Sequence, residues 1–354
     1  MSTQVFVSHI IFAIALFALS VLATLMVRRL KILDEPNHRS SHDQPIPSTG
    51  GLAIFLVFAS GFTAVCLVSD DDRLSNYNLL GFALSASVIA LVGFLDDLRK
   101  LKTFKIKLAA QIFGAIILLA FGIVINRVSV PFFGSVDLGW FGYLLTLIWI
   151  VGLTNIFNFM DGLNGLAAGV SVTVATFFCI VTYVEGSFFV YILCYVLAAS
   201  SAGFLIFNFP RARVFMGDVG SQFIGFTFAA LAVIAAEIDA SRTSFLVVPL
   251  LFFNFLFDTI FTLCRRALYG ENVTQPHRTH LYQLLNRTGW SHIRVSVLHF
   301  AMTALQGMGA FILIGSGSED RILIFIPFLI IQIFYAVLVM RAARRHGILS
   351  PNVP

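Results

Sequence analysis

Four short segments of this chain combine residue types suited to metal ions and phosphates. The first is Asp96-Asp97, which closes an apolar run and is followed by Arg99 and Lys100. Adjacent carboxylates repel unless a cation or a proton relieves them; a solvated helix end with basic counter-ions is the plainer reading. In the second, Asn155, Asn158 and Asp161 recur in steps of three, which keeps them on neighbouring positions of one helical face. Gly162 and Gly165 then let the chain leave the helix and approach a ligand closely. Amides in a membrane helix also serve as interhelical glue, although three polar residues in register before two glycines favour a site. The third segment, Gly217-Asp218-Val219-Gly220-Ser221, resembles a helix start. It offers backbone N–H groups for phosphate and a carboxylate that could share Mg²⁺ with it, or an N-cap. The fourth is His277-Arg278-Thr279-His280, a compact donor cluster suited to pyrophosphate. A zinc site there is the weaker reading, because no thiolate and no repeated His pair accompanies it.

These segments must be positioned by membrane helices. The 354-residue chain is 58% hydrophobic and only 12% charged, with a mean hydropathy of +0.91. Soluble domains carry about 25% charge, so an integral membrane protein is the class that fits. The 38 Phe residues suit a lipid-facing surface. Eleven apolar runs are long enough to span a bilayer: 5–27, 50–69, 78–95, 107–125, 140–158, 164–184, 187–207, 219–236, 243–263, 295–315 and 321–340. The expected fold is therefore all-α, a single membrane-embedded domain over 1–354. Its functional loops are 28–49, 96–106, 155–165, 208–221 and 264–294. Cys66, Cys179, Cys194 and Cys264 all lie in apolar runs without metal-ligand spacing and read as small packing residues. The first run is too long for a signal peptide, and its basic residues follow it.

Charge sets the expected orientation. Nineteen of the 23 Lys and Arg residues fall in the loops on one side and the C-terminal tail, leaving Arg73, Arg127, Arg242 and Arg321 on the other. By the positive-inside rule the N-terminus is outside and the C-terminus cytoplasmic. The net charge of +5 is then a topology and anionic-lipid signal, and nucleic acid is not an expected partner. All four chemical segments, with His38, Arg39, His42 and the Gly50-Gly51 helix start, fall on the inner face. An ionised group at the bilayer centre costs about 2.5–3.5 kcal/mol, so this convergence calls for a function. A proton-coupled secondary transporter is the alternative class. It would need a coupling acid near the midplane, for which Asp258 is the deep candidate; pairing with Arg265, or a place in the same cleft, is the plainer role for it.

Taken together, the Asp-Asp pair, Asn-x-x-Asn-x-x-Asp-Gly-x-x-Gly, Val-Phe-Met-Gly-Asp-x-Gly-Ser and His-x-x-His elements, from about residue 30 to 294, resemble those of the polyprenyl-phosphate N-acetylhexosamine-1-phosphate transferases. That resemblance implies attack of undecaprenyl phosphate on the β-phosphate of a UDP-N-acetylhexosamine, with release of UMP, in the bacterial cytoplasmic (inner) membrane. It implies Mg²⁺, or Mn²⁺, as cofactor, and a homodimer is compatible with it. Carried over by motif, Asp218 and Asp161 become metal ligands and Asp96 the candidate base, with Asp97, Asp161 and Asn158 completing the acidic cleft. Asn155 and Asn208 would orient the nucleotide, while His277, Arg278 and His280 would grip pyrophosphate or sugar. Many relatives have Lys in the first inner loop where this chain reads Ser40-Ser41-His42; His42 or Arg39 would substitute. The peptidoglycan enzyme of the family has three consecutive His residues where this chain has His277-Arg278-Thr279-His280, which argues against a pentapeptide substrate. The form looks like the branch that initiates O-antigen or other surface glycans, with GlcNAc or a deoxy-amino sugar as the donor sugar.

Overall fold

The computed structural model describes residues 3–35, 44–68, 76–101, 103–130, 134–239, 243–275 and 277–349. Arg39 and His42 lie outside these residues, as do the acids at 70–72. The described chain is a helical bundle: α1 (Thr3–Val27), α2 (Gly50–Val68), α3 (Asn76–Asp97), α4 (Phe104–Ala120), α5 (Phe141–Phe159), α6 (Leu166–Glu185), α7 (Phe188–Asn208), α8 (Gly217–Glu237), α9 (Val247–Leu251), α10 (Phe253–Leu268), α11 (Leu281–Arg287), α12 (His292–Gly315) and α13 (Phe325–Arg345). Helices satisfy every backbone group within one segment, which is why apolar runs of this length adopt them in lipid.

Among the described residues nine helices are long and apolar enough to cross a membrane: α1, α2, α3, α5, α6, α7, α8, α12 and α13. Two of the eleven expected spans differ. Helix α4 has 17 residues, and the run at 243–263 is divided between α9 and α10 at Phe252. Near that break the side chain of Asn254 accepts the N–H of Phe255 at 3.0 Å, a local bond that competes with the helical one. The stretch 264–294, read above as one loop, contains α11 and both flanking helix ends. Two short antiparallel ribbons join the bundle: β1 (Leu33–Asp34) with β2 (Ile46–Pro47), and β3 (Arg127–Val130) with β4 (Gly134–Asp137).

Helix α8 is the central pillar. Every residue from Val219 to Ala235 is buried, with α2, α3, α5, α6, α7 and α9 packed around it. A helix apolar on all sides belongs inside. The peripheral helices instead present Ile11, Ile14, Leu22, Ile330 and Phe334 outward, as a lipid-facing surface should.

Alternation of direction brings the chemistry-bearing helix ends together. The ends of α3 and α5 meet the starts of α4 and α8, and the end of α7 meets the start of α6. The start of α2 docks on the same end through Gly50 and Gly51, whose N–H groups donate to Phe215 (3.0 Å) and Met216 (2.7 Å) carbonyls. Asp218 and Glu237 mark opposite ends of α8, about 28 Å apart at 1.5 Å per residue. The β3–β4 ribbon sits at the far end, where Glu237 accepts the backbone N–H groups of Asn126 and Arg127 at 3.1 and 3.2 Å.

Candidate active site

The centre of the site is an ion triad across three helices. Lys107, in the first turn of α4, donates from Nζ to Oδ2 of Asp96 and Oδ2 of Asp218, each at 2.7 Å. All three side chains are about one quarter exposed, so the pairing lies at a cleft mouth, partly screened from water. Asn158 of α5 completes the frame by donating to Asp218 Oδ1 at 3.1 Å and to Ser221 Oγ at 2.8 Å. Ser221 in turn donates to the Gly217 carbonyl at 3.0 Å.

Asp97 takes a different role from its neighbour. Its Oδ1 accepts the N–H of Asp218 at 2.8 Å, and its Oδ2 that of Val219 at 3.1 Å. This corrects two expectations at once. The N–H groups at the start of α8 that were read as a phosphate cradle are occupied by a carboxylate of the same chain. Asp97 is spent as their cap, since a negative group at a helix N-terminus answers both unpaired donors and the helix dipole. Gly217 makes the turn possible: its φ of +71° disfavours a side chain, and a Cβ there would run into Asp97.

Asp161 lies two residues beyond the last residue of α5, so it is not on the helical face with Asn155 and Asn158 as expected; the helix stops at Phe159. The loop nevertheless returns its half-buried carboxyl toward Asp218. Burial, and then the nearby charge of Asp218, push its pKa up to about 7. Among the described residues its side chain has no hydrogen-bond partner. The cluster thus brings four carboxyl groups (Asp96, Asp97, Asp161, Asp218) together, two of them bonded to the Lys107 ammonium, and a divalent cation bound there would favour their ionised forms. Among the described residues no three or more His, Cys, Asp or Glu side chains form a preassembled metal site. Mg²⁺ does not require one, being commonly held by one or two carboxylates with substrate phosphates and water.

The remaining expected residues divide. Asn155 stands two side chains away from Asp218 and donates to Gln111 Oε1 at 2.6 Å. Asn208 is buried with both ends of its amide committed to backbone: it accepts from Gly165 N at 2.8 Å and donates to Val214 O at 2.9 Å. It ties two site loops together and does not face the cleft, correcting its assignment to the nucleotide. His280 is also buried; its Nδ1 lies 3.2 Å from Asp258 Oδ1, and it begins α11, so it is not presented to a substrate. Asp258 additionally accepts from Thr262 Oγ1 and from the N–H groups of Leu281 and Tyr282. It anchors α11 and does not bond Arg265, which donates instead to the Thr279 carbonyl at 2.7 Å. His277 packs against His280 in a tilted ring pair with centroids 4.8 Å apart. Burial, followed by the neighbouring His280 and the two guanidiniums of Arg266 and Arg265, lowers its pKa to about 4, so it is neutral at physiological pH. Tyr282 donates to the Phe159 carbonyl at 2.9 Å, joining this loop to the end of α5. Gly162 allows the contact, because a Cβ would overlap the Tyr282 hydroxyl. Arg278 belongs to the same loop, where its carbonyl accepts from Arg287 Nη1 at 3.3 Å.

Sequence reasoning missed Lys107, Gln111 and Gln222, and gave Ser221 no role of its own. Lys107 was counted only toward topology. Its spacing of four from Gln111, and that of Asp218 from Gln222, are the signals available, since each pair shares a helical face.

Residues 79–236, which hold the triad, its amides and all of α8 but Glu237, match the model of glycosyl transferase family 4. A Bacillus subtilis (strain 168) protein named "probable undecaprenyl-phosphate N-acetylglucosaminyl 1-phosphate transferase" is 35% identical over 281 residues, covering 78% of this chain and 76% of the relative. The decaprenyl-phosphate N-acetylglucosaminephosphotransferase of Mycobacterium tuberculosis (strain ATCC 25618 / H37Rv) is 31% identical over 313 residues, 81% of this chain and 76% of the relative. The undecaprenyl-phosphate alpha-N-acetylglucosaminyl 1-phosphate transferase of Escherichia coli (strain K12) is 27% identical over 286 residues, 79% and 76% of the two chains. The chain belongs to glycosyl transferase family 4. It is a multi-pass membrane enzyme of the sugar-1-phosphate transferase type.

Proposed function

We propose that the protein transfers an N-acetylhexosamine-1-phosphate, either GlcNAc or a deoxy-amino sugar, from its UDP-sugar to undecaprenyl phosphate. UMP is released, and the product begins O-antigen or another surface glycan at the cytoplasmic face of a bacterial inner membrane. The observation that carries this reading is the Lys107 ammonium held between Asp96 and Asp218 at 2.7 Å, with Asp161 within electrostatic reach of Asp218. Cationic and anionic groups at one membrane-protein helix end suit a reaction between two phosphates, in which positioning and charge neutralisation dominate. The relatives named above support the acceptor and the sugar.

An oxygen of the lipid phosphate attacks the β-phosphorus of the nucleotide sugar. The bond from that phosphorus to the bridging oxygen breaks, and UMP leaves with the oxygen and its electron pair. Asp161 and Asp218 would hold Mg²⁺, or Mn²⁺, which when bound supplies Lewis-acid neutralisation of the diphosphate. Asp218 has room for it: a carboxylate has about four lone-pair positions, and Lys107, Gln222 and Asn158 occupy three. Lys107 is placed to transfer its hydrogen bonds to a phosphoryl oxygen. Asp96, whose oxygens are not committed to backbone as those of Asp97 are, is the better placed of the two to orient or deprotonate the incoming phosphate. Arg278, in the loop that Tyr282 ties to the end of α5, would meet the nucleotide side.

The test is UMP release from UDP-GlcNAc by the purified protein with undecaprenyl phosphate and Mg²⁺. Activity in the parent and its loss in Asp218→Asn and Asp161→Asn, with both variants folded in the membrane, are the expected results. Normal turnover by either variant would refute the assignment, and a panel of UDP-sugars would identify the donor.

A further inference from the structure

Behind Asp218 three buried or half-buried amides run in series across α5, α4 and α8. Asn155 Nδ2 donates to Gln111 Oε1 at 2.6 Å, Gln111 Nε2 to Gln222 Oε1 at 3.2 Å, and Gln222 Nε2 to Asp218 Oδ2 at 3.2 Å. A primary amide has a donor and an acceptor end, so a row of amides can in principle point either way. Here both termini fix the direction. At one end Asn155 Nδ2 also donates to the Val151 carbonyl at 2.8 Å, and a backbone carbonyl only accepts. At the other end Asp218, ionised, only accepts. The two constraints are independent and agree. Gln111 and Gln222 are 3% and 1% exposed, so water does not replace a lost partner.

We infer that Gln111 and Gln222 are positioning residues, forming with Asn155 an amide relay of fixed direction that orients Asp218 for its divalent cation. This rests on the metal reading proposed above. The relay and Lys107 approach Asp218 Oδ2 from α8 and α4 respectively, while Asn158 holds Oδ1 from α5. The carboxylate is therefore fixed in rotation, with its remaining lone pair on Oδ1. Gln111 itself bonds neither Asp218 nor any group placed above at the phosphates; it acts through Gln222.

Gln111→Glu tests the relay with almost no change of shape. An ionised carboxylate at that position cannot donate, so Gln222 must turn its nitrogen toward it and its oxygen against Asp218. The two amides that then donate to the new carboxylate favour its ionised form. The measurement is Mg²⁺ affinity by isothermal titration calorimetry on the full-length, detergent-solubilised protein at pH 8 without substrates, alongside Tm and the KM for UDP-sugar. The expected result is Mg²⁺ binding weakened by about tenfold or more, the scale of one hydrogen bond to a charged group, at nearly unchanged Tm. Gln222→Met is expected to do the same, and the double variant no worse than the stronger single, because both interrupt one series. If Gln111→Glu does not fold, Gln111→Met reads the same quantity. Parent-like Mg²⁺ affinity in the position-111 variant, or additive losses in the double variant, would overturn the relay while leaving the metal reading intact. Absence of Mg²⁺ binding in the parent, or unchanged binding in Asp218→Asn, would overturn both.

Discussion

Lys107→Met is the most informative single perturbation of the site. It keeps the length and apolar stem of the side chain and removes only the ammonium that joins Asp96 to Asp218. Both bonds are 2.7 Å and charge-assisted. Such bonds are worth about 1.5–3 kcal/mol each. Because each partner is about one quarter exposed, the lower value is appropriate, giving about 3 kcal/mol for the pair. If that stabilisation is realised at the reacting phosphates, its loss slows turnover by somewhat over two powers of ten, about 150-fold. The same change deletes a positive charge that competes with a divalent cation, so Mg²⁺ should bind the variant more tightly while turnover falls. Lys107→Arg should recover only part of the rate, since a planar guanidinium does not replace a compact ammonium between two single oxygens. UMP release and calorimetric Mg²⁺ titration on one preparation measure both quantities. Turnover within about threefold of the parent, or weaker Mg²⁺ binding together with slow turnover, would show that the bridge does not act as described.

Asp97→Ala removes the cap from α8 and should cost about 0.5–2 kcal/mol, read as a lower Tm with reduced turnover. Asp97→Asn keeps one acceptor oxygen and should fall between parent and Ala, whereas a general base would be lost equally in both. Asp161 predicts a pH signature in the metal-free protein. Between its ordinary 3.8 and about 7 the folded carboxyl holds a proton that the unfolded chain has released, so stability should fall as pH rises through that window and level off above it. Asp161→Asn should flatten this slope in a Tm-versus-pH series. Mg²⁺ should reverse it near neutrality, by favouring the ionised form.

The helical membrane fold was legible because its signals are local. Apolar runs of bilayer length need no knowledge of which helix packs on which, and the gap between the runs 164–184 and 187–207 matches the break between α6 and α7 at Gly186. The same locality set the candidate residues at helix ends. Asp96, Asn158, Asp161 and Asp218 each sit at the helix end or turn that their neighbours in sequence announce.

What the sequence by itself determined, then, is which residue types stand at which helix ends, because period and turn residues act over a few positions. Only the tertiary structure decided what each of them touches. Lys107 and Asp218 are 111 residues apart, as are Gln111 and Gln222, and no periodicity relates them. The neighbours Asp96 and Asp97 point to different partners, one to an ammonium and the other to backbone amides. His280 and Asn208 look like ligand groups in sequence and are turned to Asp258 and to loop backbone. Hydrogen bonds between helices depend on helix rotation and on the lateral packing around α8, and those are properties of the assembled bundle.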